Sequence, residues 1–395
     1  LQSQRPNYIL PLIVLSQFAG TSLWFAGNAV LADISAAIHS DSSLLASVTS
    51  FVQFGFISGT FVFALLAFAD RFSPSRVFFT CAVLGATANV CMTLFPLTAS
   101  TVLLCRFLTG FFLAGIYPVG MKVAADWYEK GLGKALGYLV GALVLGTAFP
   151  HFLKGTTHHF SWQTVIRSTS AVALAGGLLV LLFIPDGPFR KKGQVFNIAA
   201  ITHIFRSRQF NAAAIGYFGH MWELYTFWAF VPVLLKLHQS YSATVINVPL
   251  WSFIIIATGS IGCIAGGYIS QRIGSGRVAF YALLCSGICC CLSPFVIALP
   301  GYAFFIFMMA WSVVVIADSP QFSALVAATA PPDQKGTALT LVTCIGFAIT
   351  IVSIFLINYL FNRYNNNLLF ILLAAGPMIG LKALYKQVRS IKYKV

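Results

Sequence analysis

The chain has 395 residues, of which 58% are hydrophobic and only 8% charged. Soluble proteins carry about a quarter charged residues, so this composition cannot clothe a water-facing surface, and the membrane is its solvent. The net charge of +15 does not indicate nucleic acid: once spans are assigned, seventeen of the 24 Lys and Arg fall in the termini and alternate loops on one side, three on the other and four within spans, the asymmetry of the positive-inside rule.

Unpaired backbone groups cost several kcal/mol each in hydrocarbon, so the segments must be helices or a closed barrel, and runs of about 20 apolar residues indicate helices. Twelve spans fit. The first runs from Tyr8 to Leu31 and the second from Leu44 to Ala69, with His39 and Asp41 in the turn between them. The third covers Val77 to Phe95, and the fourth, Thr101 to Ala125, carries Arg106 and Lys122. A charged loop with Asp126, Glu129, Lys130 and Lys134 leads to the fifth, Ala135 to Phe152, and a loop with His158 and His159 to the sixth, Thr164 to Ile184. Pro185 to Arg208, with Arg190, Lys191, Lys192, Arg206 and Arg208, is the longest polar stretch and reads as a cytoplasmic linker. The second half then gives Asn211–Leu235, Ile246–Ser270, Val278–Ala298, Tyr302–Ala328, Thr337–Leu360 and Leu368–Tyr385. Both termini are expected in the cytoplasm, and the basic tail of Lys386, Arg389, Lys392 and Lys394 suits an anionic leaflet.

Small-xxx-small pairs at Gly55 and Gly59, Gly137 and Gly141, and Gly262 and Gly266 mark close helix approaches. All nine cysteines lie in apolar segments. Cys289, Cys290 and Cys291 are consecutive, so on a helix they point about 100° apart and do not converge on a metal. Neither a metal nor a cofactor is expected, and no Walker sequence indicates nucleotide-driven pumping.

An internal repeat divides the chain. Leu66 to Arg76 recurs about 200 residues later as Gly267 to Arg277, so that Asp70, Arg71 and Arg76 match Gln271, Arg272 and Arg277 at identical spacing. Likewise Ile116-Tyr117-Pro118 leads through a polar loop into Lys134-Ala135-Leu136, as Asp318-Ser319-Pro320 leads into Thr337-Ala338-Leu339. Repeats of this length in an apolar chain are a feature of secondary transporters.

In these residues the chain resembles the major facilitator superfamily. The first hinge is similar to the family's Gly-x-x-x-Asp-Arg-x-Gly-x-Arg-Arg loop: Asp70, Arg71 and Arg76 match, whereas Leu66, Ser73 and Ser75 depart from it. The second copy keeps Gly267, Arg272, Gly274 and Arg277. Arg106 followed by Gly110 is similar to the family's Arg-x-x-x-Gly pattern, but no Gly-Pro pair follows Gly146 in the fifth span, unlike the antiporter pattern.

The resemblance implies an all-α integral membrane fold of twelve transmembrane helices in two pseudo-symmetric six-helix bundles, residues 1–184 and 209–395, joined by the 185–208 linker. The bundles would rock about a central cavity, and Asp70, Arg71 and Arg76, with Gln271, Arg272 and Arg277 in the second copy, would contribute a cytoplasmic gate. Solvated loop charges are the plainer reading of these hinges.

Intramembrane charges are costly and mark function. Glu223 lies about 18 Å into a roughly 30 Å core, with His220 one turn earlier on the same face, and the two are the expected proton-coupling pair; a fixed ion pair and a backbone-bonded histidine are the structural alternative. Asp318 lies deeper toward the cytoplasm and either meets substrate or pairs with Lys122 or the hinge. Arg106 either binds an anionic solute or, as preferred, plays a structural role near the outer end of its span, where it can snorkel. Arg167 reads as an interfacial anchor. Trp24, Tyr117, Trp222, Tyr225 and Trp228 lie on cavity-forming spans, with Trp222 and Tyr225 flanking Glu223, and Asn28 is a buried amide open to substrate.

The expected protein is thus a secondary transporter moving a small organic solute by alternating access, proton-coupled, as a monomer in a bacterial inner membrane. The missing antiporter pattern favours uptake. Efflux of amphipathic compounds is the alternative within transport, and an intramembrane enzyme or a non-transporting receptor the alternatives outside it.

Overall fold

The computed structural model describes residues 6–39, 44–128, 132–156, 161–190, 204–242, 245–331 and 334–391. Asp41, Glu129, Lys130, His158, His159, Lys191, Lys192, Lys392 and Lys394 lie outside the described residues, as do the side chains of Asp70, Lys386 and Arg389.

Every element among the described residues is helical. The first span is divided into α1 (Ile9–Thr21), α2 (Ala26–Ala29) and α3 (Leu31–Ala37). Then come α4 (Leu44–Leu65), the short α5 (Phe68–Arg71) in the hinge, α6 (Pro74–Cys91), α7 (Ala99–Leu113), α8 (Tyr117–Trp127), α9 (Leu132–Thr156) and α10 (Trp162–Phe183). Beyond the linker lie α11 (Arg208–Ser242), α12 (Val248–Ile273), α13 (Ser275–Val296), α14 (Gly301–Ala317), α15 (Ser319–Thr329) and α16 (Lys335–Tyr364). A 3-10 helix, Asn367–Ala374, leads into α17 (Ala375–Ile391).

Nine helices among the described residues are long and apolar enough to cross a membrane, counting α7 with α8 and α14 with α15 as continuous rods. The protein is a multi-pass integral membrane protein. α1, α6 and α11 are not among the nine. α1 has only 13 residues, α6 starts inside the polar hinge at Pro74-Ser75-Arg76, and α11 interrupts its apolar residues with His220, Glu223 and Lys236.

Three spans expected to be continuous are broken. α7 gives way to α8 across Ala114–Ile116 and α14 to α15 at Asp318, the two places marked by the repeated Tyr-Pro and Ser-Pro steps. Pro118 and Pro320 occupy the first turn of the helix that follows, the one helical position where a missing N–H costs nothing. The break at Ser22–Phe25 has no proline.

The small-residue pairs set the crossings. A Cβ on Gly55 or Gly59 would stand 2.0 Å from the Phe107 carbonyl oxygen or 2.2 Å from that of Phe111, so α4 and α7 touch backbone to backbone. The same relation recurs between α12 and α14, where a Cβ on Gly262 would meet the Val313 oxygen at 2.1 Å. Gly137 faces the Cys263 oxygen along the α9–α12 crossing, which with α4–α16 joins the first and second halves of the chain. One end of the α9–α12 seam is tied by the Tyr138 and Tyr268 hydroxyls, 2.9 Å apart, with the Lys134 ammonium over the Tyr268 ring. At the other end the Asn247 amide donates to the Gly155 carbonyl at 2.7 Å.

Candidate functional site

The centre of the molecule is filled by rings. Trp24 and Phe25 come from the break in the first span, Phe56 from α4, Tyr117 from α8, Tyr225 and Trp228 from α11 and Phe347 from α16. All are buried. Trp24 stacks on Phe347 with centroids 5.6 Å apart and meets Tyr225 at 5.8 Å and Tyr117 at 6.3 Å, while Phe56 meets Phe347 at 4.5 Å. Rings from both halves of the chain thus pack face and edge across the midline, an arrangement that favours association beyond simple area burial. Trp24, Tyr117 and Tyr225 are brought together here. Trp222 is not: it is half-buried on another face of α11, and its Nε1–H donates to the Leu372 carbonyl at 3.0 Å, against the 3-10 helix. Residues 222 and 225 are i and i+3, about 60° apart on the helix, yet they pack against different neighbours, Trp222 against the 3-10 helix and Tyr225 against Trp24 and Trp228.

The expected His220–Glu223 pair is also corrected. Both side chains are buried, but His220 Nδ1 lies 2.9 Å from Asp318 Oδ1, at the α14–α15 break, and its ring is held between those of Tyr217 and Phe322. Asp318 therefore pairs with the histidine, rather than with Lys122 or the hinge. Glu223 instead accepts from the Trp311 indole N–H at 2.6 Å and from the Ser286 hydroxyl at 2.9 Å. Its partners sit on α13 and α14, so the carboxyl is enclosed among helices of the second half, away from the central rings. A shared helix face brings two side chains near one another; which partner each takes is set by the helices packed against that face.

Arg106 does not snorkel. It is fully buried, donating through Nη1 to the Leu23 carbonyl at 3.1 Å and Asn89 Oδ1 at 3.3 Å, and through Nη2 to the Trp24 carbonyl. The break in the first span leaves those carbonyls without helical partners, and the guanidinium supplies donors in place of the missing backbone N–H groups. Arg106 is thus bonded to the broken first span, with a geometry opposite to the expected snorkelling one. Arg167 is exposed and donates to Thr93 Oγ1 at 3.2 Å.

Asn28 on α2 donates to Thr49 Oγ1 at 2.7 Å and lines a cavity of about 340 Å³ between α2–α3 and α9 on one side and α11 and α16 on the other. Trp228 lines the same space, so the ring cluster forms its floor. His151 and Lys236, which did not stand out in the sequence, line it too. The signal for His151 was a polar residue inside the apolar run of α9, next to Pro150.

At the first hinge Arg71 and Arg76 are exposed and line a surface cavity with Ser73, Asp186 and Arg190. Ser73 donates to Asp186 Oδ1 at 2.7 Å, Arg190 bonds Asp186 and donates to the Phe72 carbonyl at 2.8 Å, and so the hinge is tied to the start of the linker. At the second hinge Gln271 and Arg272 are exposed and Arg277 is half-buried, and no side-chain bond holds them among the described residues.

The family model for the Major Facilitator Superfamily matches residues 12–354. The fold is similar to that of the human organic anion transporter MFSD10 (TETRAN), with a TM-score of 0.70 at 14% identity over 96% of this chain and 100% of that one. It is also similar to a mutant form of the nucleoside transporter NupG, with a TM-score of 0.72 at 14% identity over 96% and 99% of the two chains. No curated protein matches the sequence.

Proposed function

The chain belongs to the Major Facilitator Superfamily, and from that premise we propose how a secondary transporter with this sequence works. It crosses the membrane twelve times as two six-helix units, residues 1–184 and 209–395, joined by the cytoplasmic linker, with both termini on the linker side. Rocking of the units about the central rings exposes a solute site alternately to each face. Protons drive the cycle through Glu223 and the His220–Asp318 pair, and the direction is uptake. Asp70, Arg71 and Arg76, with Gln271, Arg272 and Arg277, form the cytoplasmic gate, and the protein acts as a monomer in a bacterial inner membrane.

The observation that carries the coupling is the burial of three titratable side chains, Glu223, His220 and Asp318, at 0%, 1% and 0% exposure, inside helices that must move during transport. A charge enclosed by hydrocarbon and protein is costly, so opening and closing of this region and gain or loss of a proton are thermodynamically linked. Asp318 sits at the break between α14 and α15, where a change of charge acts on a hinge. The two similar structures belong to transporters of different solutes, organic anions and nucleosides, and support a small organic cargo without choosing one.

The test is flux into proteoliposomes under an imposed pH gradient, against solute exchange at equal pH. Wild type is expected to accumulate a solute only with the gradient and Glu223→Gln to exchange without accumulating. Accumulation by Glu223→Gln equal to wild type removes Glu223 from coupling.

A further inference from the structure

The cavity above the ring cluster carries a chemical signature of its own. Among the described residues that line it there is no Asp or Glu. Three of the lining side chains are more than nine-tenths buried and each carries a polar atom without a hydrogen-bond partner: Asn28 Oδ1, His151 Nε2 and Trp228 Nε1. Native interiors rarely leave such atoms unmet; these three lie enclosed just behind the cavity surface and gain partners when the wall opens onto a guest. Asn358, 7% exposed, adds an amide.

The charge at this site has one sign. Lys236 lines the rim, exposed and without an ion-pair partner among the described residues. Lys154 and Arg363 lie in the last turns of α9 and α16, and Lys236 lies within α11. Lys154 lies one turn beyond His151 and is neutralised by Asp33 at 2.9 Å. Arg363 lines an adjoining depression together with Asn358. A cavity whose nearby carboxylate is already paired, and whose rim holds the Lys236 ammonium without an ion-pair partner among the described residues, attracts anions. Its apolar lining, Trp228 and Phe361 among it, suits a ring or short hydrocarbon body, and its volume is at the small end for ligand sites.

We propose that the solute entering this cavity is a small organic carboxylate: its anionic end faces Lys236 and the His151 imidazole, its apolar body lies against Trp228, and a hydrogen-bond donor meets Asn28 Oδ1. This deepens the transporter reading and rests on it. Asn28 and Trp228 then report the solute to the rings on which the two halves pivot, because Trp228 meets Tyr225 at 5.2 Å and Phe25 at 6.2 Å.

The test is calorimetric and thermal-shift binding to the purified full chain, with benzoate, phenylacetate and 4-hydroxyphenylacetate set against their amides and phenethylamine. The carboxylates are expected to bind at least about tenfold more tightly than the neutral amides, and the amine not at all. Lys236→Gln, an exposed substitution expected to leave the unfolding temperature of the empty protein unchanged, should weaken carboxylate binding about tenfold, and His151→Gln should do so comparably. Equal affinity for acid and amide, preference for the amine, binding of none of the carboxylates, or an unaltered affinity in Lys236→Gln each overturns the proposal. The two readings fail separately. Vesicles that accumulate phenethylamine but not the acids refute the anion site and keep the transporter, whereas acids that bind with the expected selectivity yet never enter vesicles keep the site and refute transport through it.

Discussion

The breaks in the first span and between α14 and α15 are lined by charge in opposite ways. In the first half Arg106 is a fixed cation whose two Nη groups are held by the Leu23 and Trp24 carbonyls and Asn89 at the break in the first span. In the second, His220 and Asp318 face each other at a break, and Glu223 is held by two neutral donors, Trp311 and Ser286. A helix break can thus be stabilised by a permanent charge, which makes it rigid, or accompanied by titratable ones, which make its state depend on protons. The contrast is between a break lined by a permanent charge and one lined by titratable groups.

The harshest way to break that comparison is Arg106→Leu. It strands carbonyls that each cost about 1–3 kcal/mol when buried and unpaired, so loss of most folded protein is expected in detergent, with Arg106→Lys intermediate because an ammonium cannot reproduce the planar fork. An Arg106→Leu protein with the wild-type unfolding temperature would show that the first half is not built on this residue. Next in size is Glu223→Gln. Its amide oxygen can still accept from Trp311 while its NH2 donates to the Ser286 hydroxyl oxygen, which can itself donate to the Leu283 carbonyl, so folding should persist while gradient-driven accumulation falls to background, as vesicle flux would record.

A double-mutant cycle with His220→Gln and Asp318→Asn sharpens the contrast further. Unfolding measured for both single variants and the double should give a coupling of about 0.5–3 kcal/mol, and a value near zero would mean the two groups do not sense one another. The smallest effect is expected from Trp222→Phe, which loses one half-buried hydrogen bond to Leu372. Its cost should stay below about 1.5 kcal/mol, with flux unchanged, since the ring lies outside the central cluster.

Much of the architecture was legible because membrane helices announce themselves in two ways that need no tertiary knowledge. Long apolar runs gave the segments, and small residues four apart gave the crossings: Gly55 and Gly59, and Gly262 and Gly266, are where backbones touch. The repeated hinge and Tyr-Pro and Ser-Pro steps located features that recur in space. Burial was legible as well, since counting along the helices placed His220, Glu223 and Asp318 well inside their spans, and all three are enclosed. Orientation was not. α11 carries aromatic and aliphatic residues on every face, so nothing in its sequence says that Trp222 turns toward the 3-10 helix and Tyr225 toward Trp24. The partners of a buried charge are equally hidden, because His220 meets a residue 98 positions away by subtraction of the two numbers. Arg106 was placed near water because its span was counted as a rod beside an unbroken first helix. The break at Ser22–Phe25 carries no proline or glycine to announce it, and it is the break that draws the guanidinium inward.

That dependence imposes an order on biogenesis. Leu23 and Trp24 leave the ribosome 83 and 82 residues ahead of the arginine that satisfies them, an interval of roughly 4–17 s at ordinary elongation rates. During that time the Leu23 and Trp24 carbonyls, just beyond the 13-residue α1, lack the donor that meets them in the fold. The first segment must wait beside the insertion machinery or at the lipid–water boundary until the fourth arrives, so its integration is completed by a later helix rather than by its own hydrophobicity.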